Sequence, residues 1–388
     1  MSCDCLQELR KFVAPEFVFG PGAAELAVRY ATNFEASRVL LVTDPGVRSA
    51  GWADKVGDDL REAGIEVVIF DSVSPNPRDH EVMIGAEAYR DSRCDAIVAV
   101  GGGSPMDCAK GIGAVVTNNA HILTFEGVDK VPVPCPPLIC LPTTSGTGAE
   151  VSQFAIITDT GRGVKIAIVS KTMIPDVALL DPLLTTTMDP ALTAATGLDA
   201  LTHAVEAYVS NANSPITDLF ALSAMRRIAA SLGNAIDHPQ DMCARSEMLL
   251  ASLEAGLAFS NAILGAVHAM AHALGGLLDL PHGECNALLL PHVVRYNYDA
   301  APQRFRAVGE ALGADLRGLS GEAEREAVVA SIEAIKRRAG VTMNLADLGV
   351  TPGDLARLAQ NAAADPCLLT NPKSASPEEL RRIYEQAL

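Results

Sequence analysis

Along residues 39 to 141, short apolar runs alternate with longer stretches in which apolar positions recur every three or four residues. The runs 39–43, 67–70, 96–100 and 137–141 are continuous and rich in Val, Ile and Leu, which predicts strands buried on both faces. Between them, 53–63, 80–91 and 107–116 carry the helical period. Strands and helices in this order predict a doubly wound, Rossmann-like α/β domain around a parallel sheet. Beyond Asp181-Pro182 alanine and leucine dominate and β-branched runs vanish. Helices are predicted over 190–210, 216–232, 242–260, 262–278, 301–312, 322–339 and 351–364. The expected division is an α/β domain over 1–184 and an all-α domain over 185–388. With no internal repeat and no low-complexity linker, the two should pack closely around a shared cleft.

Composition narrows the partners. Acidic residues outnumber basic ones 47 to 30, and the net charge of −17 repels phosphate backbones and anionic lipid surfaces. No nucleic acid and no membrane is therefore expected. No apolar run approaches a membrane span, and the first eleven residues, with Asp4 and Glu8, lack the apolar core of a signal peptide. The nine cysteines form no Cys-x-x-Cys pair, which suits reduced thiols and a cytoplasmic location.

Two loops look built for anions. Gly101-Gly102-Gly103-Ser104-Pro105 follows the strand 96–100 and opens a helix, so glycines allow close approach and free N–H groups face a phosphate. A second loop, Pro142-Thr143-Thr144-Ser145-Gly146-Thr147-Gly148, follows the strand 137–141 and offers four hydroxyls. Two such cradles at neighbouring strand ends imply a dinucleotide. The first strand lacks the G-x-G-x-x-G fingerprint and ends in Thr43-Asp44-Pro45-Gly46. Asp44 there can accept from adenosine ribose hydroxyls and would repel a 2′-phosphate, which favours NAD over NADP.

The chain has eight histidines, and His268, His272 and His282 crowd together after Asp199 and His203. Asp199 and His203 are four residues apart, as are His268 and His272, so each pair shares a helix face. One carboxylate with two or three imidazoles is a competent shell for Fe2+, Zn2+, Mn2+ or Co2+. His238 and His292 have no matching partner and read as structural.

At these residues the chain resembles the iron-containing (group III) alcohol dehydrogenase family, in its lactaldehyde reductase and propanediol dehydrogenase branch. The similarity runs from Phe19-Gly20-Pro21-Gly22 through 101–107, 142–150, 197–208 and 281–296 to Asn371-Pro372-Lys373, where the family has Arg in place of Lys373. An unusual Cys-x-Cys at Cys3 and Cys5 is the other departure. The resemblance implies the dehydroquinate synthase-like fold, with the first domain binding dinucleotide and the second metal. It implies metal ligation by Asp199, His203, His268 and His282, with His272 beside metal and nicotinamide as a non-ligand. It implies NAD contacts at Asp44, Asn76, Gly103, Ser104, Thr143, Thr144, Thr147, Val151, Lys165 and Leu180, to which the first cradle adds Gly102. Pocket walls would fall on Phe154, Phe259 and Cys367, and the segment Glu16–Phe19 would pair across a homodimer, if not a larger homo-oligomer. The expected activity is an NAD-linked, Fe2+-dependent interconversion of a short primary alcohol or diol and its aldehyde, Zn2+ or another divalent metal being the alternative. His272 is the candidate catalytic residue, relaying a proton. The second reading is a regulatory protein that keeps the fold and responds to alcohol or NAD.

Overall fold

A computed structural model describes residues 9–388, so Cys3, Cys5 and most of the polar N-terminal stretch lie outside the described residues. The strands are β1 (Glu16–Phe19), β2 (Arg38–Val42), β3 (Glu66–Phe70), β4 (Ala96–Gly101), β5 (Gly127–Val128), β6 (Leu138–Pro142), β7 (Phe154–Asp159), β8 (Val164–Val169) and β9 (Val177–Leu180). Six of them form one parallel sheet in the order β1-β9-β6-β4-β2-β3. In register, Leu41 lies beside Val98, Val98 beside Ile139, and Cys140 beside Ala178. Side chains alternate between faces with period two. Leu40, Val42, Ile97 and Cys140 enter one core cluster, and Val39, Leu41, Val98 and Ile139 another on the opposite face.

Around this sheet lie α1 (Ala27–Asn33), α2 (Pro45–Ser49), α3 (Trp52–Glu62), α4 (Asp79–Asp91) and α5 (Gly103–Asn118). Past β9 the chain is helical: α6 (Pro190–Val209), α7 (Pro215–Asp237), α8 (Met242–Ala262), α9 (Ala266–Leu278), α10 (His282–Asn297), α11 (Pro302–Ala311), α12 (Gly321–Arg338), α13 (Leu355–Ala363) and α14 (Pro377–Ala387). Asp189, Ser214 and Asp241 cap α6, α7 and α8 by accepting from backbone N–H groups one turn in. The helical region has one large apolar core, which also takes in Phe154, Ala167 and Val169 from the smaller sheet β5-β8-β7.

The four expected strands appear as β2, β3, β4 and β6, each displaced by no more than one residue at either end. The helix expected over 107–116 is longer, because Pro105 falls in the first turn of α5, where an N–H has no intrahelical partner to lose. The β7–β8 hairpin, β9, α1, α2 and α14 were not anticipated. Helices expected over 242–260 and 262–278 nearly abut in sequence, yet α8 and α9 are bent by 99° across three residues. At the break Ile263 takes φ 61°, a backbone state that no apolar periodicity reports. No single helix among the described residues is long and apolar enough to cross a membrane.

Candidate functional site

The loops after β2, β4 and β6 leave adjacent strands at their carboxyl ends, where the strand order reverses direction relative to the chain. This is where an open α/β sheet has a natural crevice. A cleft of about 1010 Å³ opens there and is lined by Asp44, Asn76, Gly102, Gly103, Ser104, Thr143, Thr144 and Thr147. The two cradles interlock: Thr143 donates its N–H to the Gly101 carbonyl at 2.9 Å, and a Cβ on Gly103 would sit 2.9 Å from Thr147 Cγ2. The hydroxyl of Thr144, which lines the cleft, is buried without a partner, as expected where a polar ligand would supply one. A dinucleotide fits this set. Asp44 caps α2 by accepting from Val47 N–H at 2.9 Å.

Val151 and Leu180 are placed differently. Both are wholly buried in an apolar cluster with Ala178, Leu249, Leu253 and Leu257, and neither lines the cleft. Strand β9 and the short 3-10 turn Ala149–Val151 point these side chains into packing against α8, behind the crevice. Lys165 lies deeper than the other expected cofactor contacts, with Nζ donating to Asn76 Oδ1 at 2.7 Å and burial pulling its pKa down.

At its inner end the cleft meets a second cavity of about 170 Å³, and the two share Gly103, Ser104, Asp199 and His282. Helix α6 brings Asp199 and His203 to one face, α9 brings His268 and His272, and His282 is the first residue of α10. Asp199 Oδ1 lies 3.7 Å from the Nε2 atoms of both His268 and His282 and 3.9 Å from that of His203. Asp199, His268 and His282 offer ligand atoms that all lie within 4.8 Å of one another, and ligand atoms around a tetrahedral metal with bonds near 2.1 Å stand about 3.4 Å apart, so a small contraction would close these three on an ion; His203 borders Asp199 but stands outside that compact group. Three ring nitrogens are fixed by groups that can only accept. His203 Nδ1 donates to the Gly146 carbonyl at 3.1 Å, His268 Nδ1 to Glu206 at 2.6 Å and His272 Nδ1 to Asp365 at 2.8 Å. Nε2 is thereby the nitrogen that each of these rings has left for the cavity they line.

The electrostatics suit a cation. Burial would raise the Asp199 carboxyl, but His203, His282 and His268 around it hold it well below the carboxylate range. Burial takes His203 down to about 4 and His282 well below the ordinary value, against the pull of Asp199. Burial would also lower His268, yet the Asp199 carboxylate 3.7 Å from Nε2 and the Glu206 carboxylate bonded to Nδ1 lift it to about 9, so that the ring is cationic until a metal displaces the Nε2 proton. Two carboxylates thus bracket one imidazole, and Asn286 Nδ2 joins them at 2.7 Å from Asp199 Oδ1 and 3.1 and 3.2 Å from His268 and His282 Nε2. A divalent transition metal fits such a donor set.

Phe154, Phe259 and Cys367 all line the smaller cavity, with the two rings tilted at 5.8 Å between centroids. Glu206, Asn286 and Asp365 were not singled out from the sequence. Glu206 stands seven residues beyond Asp199 and Asn286 four beyond His282, helical spacings that could have found them. Asp365 carries no such signal, because it caps a 3-10 turn far along the chain.

Two family models match the chain: "Iron-containing alcohol dehydrogenase" over residues 14–182 and "Fe-containing alcohol dehydrogenase family, C-terminal" over 193–388. A 1,3-propanediol dehydrogenase of Klebsiella pneumoniae is 45% identical over 371 residues, covering 95% of this chain and 96% of that protein. An NAD-dependent methanol dehydrogenase of Bacillus methanolicus is 38% identical over 377 residues, covering 97% and 99%. A crystal structure of 1,3-propanediol oxidoreductase superposes with a TM-score of 0.95 at 44% identity, covering 98% of this chain and all of that one.

Proposed function

Because this chain belongs to the iron-containing alcohol dehydrogenase family, we propose that it interconverts a short primary alcohol or diol and its aldehyde, using NAD and a divalent metal, Fe2+ first among them. The observation that carries this reading is the convergence of Asp199, His268, His282 and His203 at the inner end of the crevice that runs out to Asp44. When bound, the metal supplies Lewis acidity and the nicotinamide accepts or gives up the hydride.

The chain's own residues do the rest. Asp199, His203, His268 and His282 would hold the metal. The Gly102–Ser104 and Thr143–Thr147 cradles would hold the diphosphate, and Asp44 the adenosine ribose. Asn76, which lines both cavities, and Lys165, which is joined to it and lines the smaller one, would border the nicotinamide end. His272, oriented through Nδ1 by Asp365, takes up at Nε2 the proton that the alcohol releases and returns it in the reverse direction. Phe154 and Phe259 exclude water, and Cys367 closes the wall beside Asp365. Among the described residues Lys165 is the one Lys or Arg lining the small cavity, and it is already engaged by Asn76, which favours an uncharged substrate.

The proposed division, a dinucleotide-binding domain over 1–184 and a metal-binding domain over 185–388, falls in the gap between the two family-model matches. A cytoplasmic location and a homodimer, or a higher homo-oligomer, complete the reading. The regulatory alternative loses ground, since the relatives matched along nearly the whole chain carry the names of dehydrogenases and the donor set is complete. The test is anaerobic purification, metal quantification and NADH formation on a panel of short alcohols with and without Fe2+. His268→Ala should lose at least about 100-fold in kcat/KM, on the order of a lost metal ligand's effect on transition-state charge; full activity in that variant sinks the proposal.

A further inference from the structure

We infer that Glu206 is a positioning residue for the proposed metal site: its carboxylate sets the ring of His268 and the first turn of α9 so that His268 Nε2 faces Asp199. The inference rests on that site's being a metal site. Glu206 is only 4% exposed and sits on α6 three residues past His203 and seven past Asp199, so one helix face carries all three. One carboxylate oxygen accepts from His268 Nδ1 at 2.6 Å and from Gly265 N–H at 3.1 Å; the other accepts from Val267 N–H at 2.6 Å.

Why α9 needs this partner follows from its sequence. Its N-cap is Gly265, which has no side chain to offer its free N–H groups. Glu206 from α6 supplies the missing acceptor, with its negative charge at the positive end of the helix, and Asn371 Oδ1 takes the Ala266 N–H at 3.1 Å. Gly265 also provides the space, since a Cβ there would lie 3.0 Å from Glu206 Oε1 and 2.8 Å from Asn371 Oδ1. The backbone reaches this point through Ile263 at φ 61°, a strained state for a β-branched residue that the surroundings must over-determine. A carboxylate that binds both the helix start and the ring of its third residue does this. Because it only accepts, it keeps the proton on Nδ1 and presents the Nε2 lone pair to the site. Outer partners of this kind orient the ligand and raise its basicity, and losing one costs 10- to 100-fold in metal affinity.

The experiment is titration of the metal-stripped full chain with Co2+ against a chromophoric chelator, with the visible d–d spectrum recorded. Glu206→Gln is expected to bind Co2+ about 10- to 100-fold more weakly than wild type, with a changed d–d spectrum. Glu206→Asp, which keeps the charge on a shorter arm, should fall between them, and it carries the test if Glu206→Gln does not fold. Asn371→Ala removes the other α9 cap without touching His268 and should bind as wild type does. Wild-type affinity and spectrum in a folded Glu206 variant, or an equal loss in Asn371→Ala, overturns the inference while leaving the metal site standing. Absence of Co2+ binding by the wild-type chain overturns the metal site itself, and the role of Glu206 with it.

Discussion

Glu150 is a buried carboxyl that the proposed chemistry does not use. It is 1% exposed, its Oε1 has no partner, and burial pushes it up to about 7 in spite of a backbone hydrogen bond and nearby Lys110. Lys110, equally buried, spends Nζ on the Ser152 and Phe154 carbonyls at 2.9 and 2.8 Å and on Ser152 Oγ. A carboxyl that binds its proton more tightly when folded adds stability that is fully present below the ordinary Glu value and is lost as pH rises through about 7. Each tenfold in proton affinity is worth about 1.4 kcal/mol, so the swing reaches about 3 kcal/mol. Glu150→Gln removes the titration. In urea unfolding, wild type should lose more stability than the variant between pH 5 and 8, whereas parallel pH profiles would show that Glu150 does not titrate there. At this scale His268 and His272 were legible because an imidazole pair at helical spacing is rare, and His282 because it falls close after them. Asp365 was not, because its bond to His272 spans 93 residues and leaves no periodic trace.

Elements decide how those residues meet. The β4 and β6 cradles come from neighbouring strands and lock through Gly103 against Thr147, a fit that a single methyl group disturbs. Gly103→Ala should raise KM for NAD by about tenfold or more through overpacking while leaving kcat little changed, the pattern of lost binding without lost chemistry. Steady-state kinetics with NAD varied checks this, and a fall in kcat at unchanged KM would place Gly103 with the reacting atoms instead. The strands that frame the cradles were legible because burial on both faces writes continuous apolar runs. The β7–β8 hairpin was less so: Phe154–Asp159 is short and mixes buried with half-buried positions, and it directly follows a loop rich in functional polar residues. The break between α8 and α9 was legible to within a few residues, as the separate helices expected over 242–260 and 262–278 show, but its 99° angle was not, because backbone dihedrals such as φ 61° at Ile263 set it.

For the whole molecule, β1 is one of the two edges of the large sheet, β3 being the other, among the described residues. Among the described residues β1 pairs with β9 on one side alone, and Phe17 on it is 42% exposed. An unpaired edge strand with an exposed aromatic is a template for strand addition unless something covers it, and the proposed homodimer would cover it with a second copy. Phe17→Asp should convert the dimer to monomer in sedimentation velocity while the far-ultraviolet circular dichroism stays unchanged. An unaltered mass would place the interface elsewhere. The net charge of −17 works against association, so an interface that forms must rest on apolar burial and strand hydrogen bonds.

The sequence by itself determined the layered α/β half, the helical half, the crevice at the strand ends and the cluster of metal-competent side chains. Each of these is written locally, in two- and 3.6-residue periods and in turn chemistry. Tertiary structure alone decided which ring nitrogens face inward, that Val151 and Leu180 pack behind the cleft, and that Glu206, Asn286 and Asp365 orient the cluster. Those outcomes depend on contacts between elements far apart in the chain. They also depend on one sharp turn at Ile263, where backbone conformation and the space beside Gly265 set the direction of a helix that side-chain pattern leaves undefined.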